Sequence, residues 1–227
     1  MYISRRKILS KYFKKYFAEN SKKYWVVFIM GLGVFIVPNG ELKSKITSWK
    51  KKIEKELHEQ PYTSHPPHLT IIHSNINEYN SVINEIKECL KGLKPFKLTV
   101  HENNIFWDDL FTGGNTLSYN IKKNKYLNEI QKKLSVVFSK YKKNNEIPEF
   151  LKTHKQLYNS YIDFGFPFVG EHWIPHFTIS SLKVGKDHKL IRDFLLDQID
   201  ISLTVNTVSI WNIKGNQHQM IEEFILK

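Results

Sequence analysis

Apolar positions along the chain follow two rhythms, and the switches between them set out the expected elements. Leu42, Ile46, Trp49, Ile53 and Leu57 recur three or four apart and predict a helix after the Pro38-Asn39-Gly40 turn. Tyr79, Val82, Ile83, Ile86 and Leu90 predict a second helix over 78–93, and the same spacing continues in helices over 125–142 and 186–197. Between them, short apolar or alternating runs predict strands at 68–73, 95–101, 104–107, 116–122, 174–181, 200–212 and 219–226, with Gly113-Gly114 as a turn. Trp25 to Val37 is a nearly uncharged run of 13 residues. It falls short of the ~20 that a membrane-spanning helix requires and reads as a buried strand, interrupted near Gly31-Leu32-Gly33. Lys142 to Gly170 keeps neither rhythm and carries Pro148, Gly165 and Pro167, so it is expected to be a connection or a loop beside a cleft. The order of strand, helix, strand, helix and strands, then helix, strand, helix and strands, predicts a pseudo-duplicated α+β architecture whose two lobes meet in a cleft.

The two halves share more than their order. Pro67-His68-Leu69-Thr70-Ile71 returns as Pro175-His176-Phe177-Thr178-Ile179. Composition alone would produce such a flanked His-x-Thr about once in several hundred chains per copy. On a strand, residues i and i+2 share a face, so each copy turns an imidazole and a hydroxyl one way and its apolar residues the other. Two such strands side by side would present two imidazoles and two hydroxyls, the set that cleavage of a phosphodiester needs: a base, an acid, and donors to the non-bridging oxygens. The competing explanation is two half-exposed strands that carry His and Thr only as surface residues. Finding the motif twice weighs against it.

Charge and composition narrow the partners. The 227 residues carry a formal charge of +12, which favours an anionic partner such as RNA, a nucleotide or an acidic membrane surface. Aromatics make up 14% of the chain, too many for a solvated tail. Eight basic residues against the single acid Glu19 crowd into residues 1–23, where Ile8, Leu9, Tyr12, Phe13, Tyr16 and Phe17 keep helical spacing. This segment is expected to be a basic amphipathic helix that touches RNA or an anionic membrane, or that docks on residues 24–227 with a solvated face. Its apolar positions are too interleaved with Lys for a signal peptide, and the chain is expected to be cytoplasmic. Cys89 is the only cysteine; its apolar helical setting predicts an inert thiol, with no disulfide and no thiolate metal site.

On the two motifs, His68-Leu69-Thr70 and His176-Phe177-Thr178, the chain resembles the 2H (two-histidine) phosphoesterase superfamily. The resemblance covers residues 33 to 227 and includes Gly33-Val34-Phe35-Ile36-Val37-Pro38 as an opening strand and turn. It implies a bilobal fold of two antiparallel sheets flanking a central cleft, with helices outside. It also implies cleavage of phosphodiesters without metal or other cofactor. The superfamily includes RNA 2′,3′-cyclic phosphodiesterases (also called 2′-5′ RNA ligases), 2′,5′-oligoadenylate phosphodiesterases, nucleotide cyclic phosphodiesterases and RNA 3′-end exonucleases. By the same resemblance, one of His68 and His176 activates water or a ribose hydroxyl, the other protonates the leaving oxygen, and Thr70 and Thr178 hold the phosphate oxygens.

The expected function is therefore a phosphodiesterase for 2′,3′-cyclic phosphate or 2′,5′-linked RNA. A hydrolase of small cyclic nucleotide or oligonucleotide signals, and a non-catalytic module that binds RNA ends, are the alternatives. Trp173, Trp107, Tyr119 and Phe168 are candidates to stack on a base, and Lys183 to meet phosphate, each against the plainer role of core or surface. His172 and His176 could form a zinc pair, but no H-E-x-x-H motif or carboxylate cluster accompanies them. His65, His73 and His101 are expected to be surface or satisfied polar residues, with His73 close enough to the first motif to affect its charge. No obligate protein partner is indicated.

Overall fold

The computed structural model describes residues 30–143, 147–215 and 217–227, apart from the Met30 side chain. The basic segment 1–23 and the first residues of the Trp25–Val37 run lie outside the described residues. The chain alternates strands and helices: β1 Met30–Ile36, α1 Gly40–Leu57, β2 Leu69–Ser74, α2 Tyr79–Leu90, β3 Phe96–Phe106, β4 Asn115–Ile121, α3 Lys125–Tyr141, α4 Glu149–Lys152, α5 Lys155–Phe164, β5 His176–Leu182, α6 Lys189–Leu196, β6 Ile201–Val205, β7 Thr207–Lys214 and β8 Gln217–Ile225. The α+β class stands, but the two expected sheets are one. Eight strands run in the order β6-β3-β4-β5-β2-β1-β7-β8, every pairing antiparallel.

The join between β5 and β2 lies at the middle of this one sheet. Four strands lie on each side of it, and β5 and β2 pair through one register position, Leu69 opposite Phe177. Both strands carry a bulge just beyond that pair. Against β1, the partner jumps from Thr70 to Ile72 and skips Ile71; against β4, it jumps from Thr178 to Ser180 and skips Ile179. A bulge bends and twists its strand, so β2 and β5 diverge immediately after touching. The Ile that closes each pentapeptide is the extra residue.

Alternation decides which face is buried. Leu69, Ile71, Ile72, Phe177 and Ile179 are fully buried and belong to the main core, whereas His68, Thr70, His176 and Thr178 face the other way and are half-buried. On the core face α1 packs against β5 and β6, α6 against β3, and α3 against β2 with α2 beside it. The periodic stripes predicted these helices well: Leu42, Ile46, Trp49 and Ile53 are all buried, as are Val82, Ile86 and Leu90.

Other expectations need correction. The 142–170 stretch contains α4 and α5, whose few buried positions, Leu151 and Tyr161, leave too short a stripe to read. The expected strands at 95–101 and 104–107 are one, β3 Phe96–Phe106, and 200–212 divide at Asn206. Nor is β1 broken at its glycines: a Cβ on Gly33 would collide with the ring of Phe35, so Gly33 lets that ring lie along the strand. No helix among the described residues is long and apolar enough to cross a membrane.

Candidate active site

The pairing of Leu69 with Phe177 brings the centres of the two motifs together. Carried one residue either way, the antiparallel register sets His68 across from Thr178, and Thr70 across from His176. All four side chains leave the same face of the sheet.

Each imidazole is fixed in the same manner. His68 Nδ1 donates to the carbonyl of Pro66 at 2.7 Å, and His176 Nδ1 donates to that of Ile174 at 2.7 Å. A carbonyl can only accept, so Nδ1 carries the proton and Nε2 is the nitrogen left for chemistry. The intervening Pro67 and Pro175 lock φ and so hold both carbonyls at matching places. A phenylalanine ring backs each imidazole, Phe35 at 4.6 Å from His68 and Phe106 at 4.8 Å from His176 between centroids.

The charges around the two rings differ. Burial is the largest influence on His68 and pushes its pKa down to about 3, against the raising effect of the Pro66 carbonyl, while His218, Lys50 and His176 oppose its protonation further. His218 on β8 lies 5.5 Å from the His68 ring and 4.2 Å from His65, between centroids. Burial lowers His176 as well, but the Ile174 carbonyl and the carboxylate of Asp109 pull it back up. Asp109 is held in the 107–114 turn: its Oδ2 accepts from Thr116 Oγ1 at 2.5 Å and its Oδ1 from the Phe111 amide at 2.9 Å. That turn presses on β5 because Gly114 has no side chain; a Cβ there would come within 2.7 Å of Ser181 Oγ.

After its bulge β2 changes parity, so both Ile71 and Ile72 face the core and His73 emerges on the site face. It is half-buried, with its Nε2 enclosed and without a hydrogen-bond partner among the described residues. Burial first, then His218, holds its pKa down at about 4. His73 is therefore part of the floor of the site rather than a satisfied surface residue. Phe166 lies 6.3 Å from its ring and leads to Phe168 and Phe111.

The other candidates divide. Trp173 is half-buried and its indole N–H donates to the Thr70 carbonyl at 3.1 Å, which ties it to the first motif. Lys183 continues β5 on the site side and feels the charge of Asp109. Trp107 is 43% exposed and follows Phe106, with Lys186 Nζ 5.5 Å above its ring. Phe168 is half-buried in the aromatic row. Tyr119 is fully buried on the core face against Phe194, out of reach of any base. Its place opposite Phe177, an apolar motif residue, is the reason.

His172 sits in the 170–172 turn, 3.9 Å from Glu171, and among the described residues no group of three or more His, Cys, Asp or Glu side chains converges as a metal site. Phe35, Phe106, Asp109, His218 and Lys50 went unread in the sequence. Only Lys50 left a signal, as a lysine four residues after Ile46 and three before Ile53 in an apolar stripe.

A single antiparallel sheet that presents two tautomerically matched His-x-Thr motifs at its midline defines a protein of the two-histidine phosphoesterase class. The model of the 2'-5' RNA ligase superfamily matches residues 38–217, and the chain belongs to that family. It is 28% identical over 120 residues to a protein of Halalkalibacterium halodurans named "Putative phosphoesterase BH1439", an alignment covering 52% of this chain and 64% of that protein, under two thirds of its length. Its fold is similar to that of TT0787 of Thermus thermophilus (TM-score 0.57, 12% identity, 87% of this chain and 98% of the other). It is also similar to E. coli LigT in apo form (TM-score 0.51, 12% identity, 88% and 99%).

Proposed function

We propose that the chain is a metal-independent phosphodiesterase acting on RNA-type linkages, a 2′,3′-cyclic phosphate or a 2′,5′ bond, through general acid and base catalysis by His68 and His176. The observation that carries this reading is the matched anchoring of the two imidazoles, each through Nδ1, on strands that meet between them. His68, whose protonation is opposed by burial and by the neighbouring cations, is the base: its Nε2 takes a proton from water or a ribose hydroxyl. His176, with Asp109 favouring its charged form, is the acid that protonates the leaving oxygen. Thr70 and Thr178, on the same face, donate to the non-bridging oxygens. The half-exposed aromatics Trp107, Phe168 and Trp173 border the cleft where a base would lie, and Lys183 stands where phosphate charge would extend. The similar fold of E. coli LigT has been solved with 3'-AMP, a nucleotide that carries its phosphate on the ribose.

The test is turnover, in the presence of EDTA, of a panel containing cyclic-phosphate RNA, 2′,5′- and 3′,5′-oligoadenylates, and cyclic mono- and dinucleotides. His68→Ala and His176→Ala are each expected to lower kcat on the best substrate by at least ~100-fold with the fold intact by circular dichroism. Near-normal activity in either variant would refute the paired-histidine mechanism. Activity confined to small cyclic nucleotides would favour the signal-hydrolase alternative, and binding of RNA ends without turnover the binding module.

A further inference from the structure

Lys50 is 7% exposed, in the middle of the buried stripe of α1, beneath the line where β2 and β5 part. Its Nζ donates to the carbonyls of Tyr62 at 2.5 Å, Ile179 at 2.8 Å and Thr63 at 3.4 Å. Ile179 is the bulged residue of the second motif. Pro61 and Thr63 continue alongside β5 past the divergence, where the Pro61 carbonyl accepts from the Ser181 amide and Thr63 Oγ1 hydrogen-bonds Ser180 Oγ. The ammonium thus closes the gap on the core side, one residue from Thr178.

Three carbonyls solvate this ammonium, but among the described residues no carboxylate pairs with it. Its neighbours on α1 are already paired: Lys45 with Asp197 and Lys52 with Asp193. The groups that face it are His68 on β2, which feels its charge, and Tyr62, which contributes its backbone carbonyl. A buried charge is ordinarily paired, because desolvation without a counter-ion is costly. Here one strand separates the ammonium from the face that carries His68, Thr70, His176 and Thr178. We propose that Lys50 is a positioning residue whose counter-ion is the substrate phosphate itself: it holds the bulge that sets Thr178 and attracts the anion through the sheet without touching it.

The proposal rests on the phosphodiester reading of the site and deepens it. At a separation on the order of 5–7 Å and an effective dielectric of about 20, loss of a full charge corresponds to roughly 60- to 300-fold weaker binding of a monoanion, and about half that where the ammonium of the empty site is half-charged. It also couples binding to protons. Burial lowers Lys50 to a pKa of about 7, so the empty site holds it half-charged at neutral pH, and a bound anion would draw up to about half a proton onto it.

Inorganic sulfate, which does not titrate in this range, is the probe. Calorimetry of sulfate binding to the full chain at pH 7, in two buffers of different ionisation enthalpy, measures affinity and proton uptake together. Lys50→Met is expected to weaken sulfate binding by tenfold or more and to remove part of the uptake. Lys50→Arg, permanently charged, is expected to restore affinity but not the uptake. Affinity within twofold of the parent and unchanged uptake in Lys50→Met would overturn the proposal. Should Lys50→Met not fold, Lys50→Gln, which can still donate to a carbonyl, takes its place, and sulfate affinity within twofold of the parent overturns the proposal equally. Turnover on the substrate panel decides the underlying reading separately: an active parent enzyme whose sulfate binding ignores Lys50 defeats only the role of Lys50, whereas a parent that neither turns over the panel nor binds sulfate defeats both.

Discussion

Replacing His73 with Phe should make the protein more resistant to acid by an amount that the site geometry sets. His73 has an ordinary value of 6.5 that the fold lowers to about 4, through burial and the charge of His218. A depressed histidine means that the folded state binds fewer protons than the unfolded one. The stability tied to this difference is complete above pH 6.5 and is lost as pH falls toward 4. Between pH 7 and pH 5 the unfolded chain gains about three-quarters of a proton at this position while the folded chain gains almost none, a loss of about 2 kcal/mol. Phe is somewhat larger than His, needs no partner for a ring nitrogen, and keeps an aromatic ring beside Phe166. Urea unfolding of both proteins at pH 7 and pH 5, followed by circular dichroism, gives a double difference in which most other titrations cancel. The carboxylates lowered by their lysine partners, Glu85 and Asp193, titrate below this window and do not confuse it. His68 retains its own acid lability in the variant, so part of the slope remains. An equal loss of stability in the two proteins between pH 7 and 5 would show that His73 is not held neutral by the fold.

Because burial lowers both of the proposed catalytic histidines, kcat/KM should be highest on the acid side of neutrality, and Asp109→Asn should move its alkaline limb to still lower pH by removing the anion that favours protonated His176; an optimum above pH 8, or a limb unmoved by the substitution, would refute the role assignment. Gly33→Ala should displace the Phe35 ring from His68 and lower kcat by roughly tenfold with little change in KM, since it disturbs the orientation of a reacting group; unchanged kcat would show that this ring contact does not orient the base.

What could be read in the sequence was whatever depends on local period or on an exact repeat. The apolar stripes of α1, α2 and α3 named their buried faces because a helix of three or more turns repeats its signal. α4 and α5 contribute too few buried residues for a stripe, and the division at Asn206 shows only as a change of parity, from Ile201, Leu203 and Val205 to Val208 and Ile210, inside one short apolar run. The repeat found the four motif residues, but the sheet that joins them depends on one cross-strand pair, Leu69 with Phe177, and pairing partners leave no local trace. Tyr119 illustrates the same limit from the other side. Its composition suits base stacking, yet its register opposite Phe177 commits it to the core.

The pentapeptide now has a reason at each position. Pro places the carbonyl that fixes the tautomer, His presents Nε2, the apolar residue forms the pair that closes the sheet, Thr shares the face of His, and Ile is the bulge beyond which the two strands cease to pair. Such a repeat produces two equivalent histidines, and equivalence is the wrong state for acid–base catalysis, which needs one neutral and one charged imidazole together. The symmetry is broken outside the repeat. Lys50 from α1 and His218 from β8 stand on the His68 side, and Asp109 from the 107–114 turn stands on the His176 side. These three residues lie outside the repeated pentapeptides, so on the proposed mechanism the repeat supplies the geometry while unshared segments assign the roles.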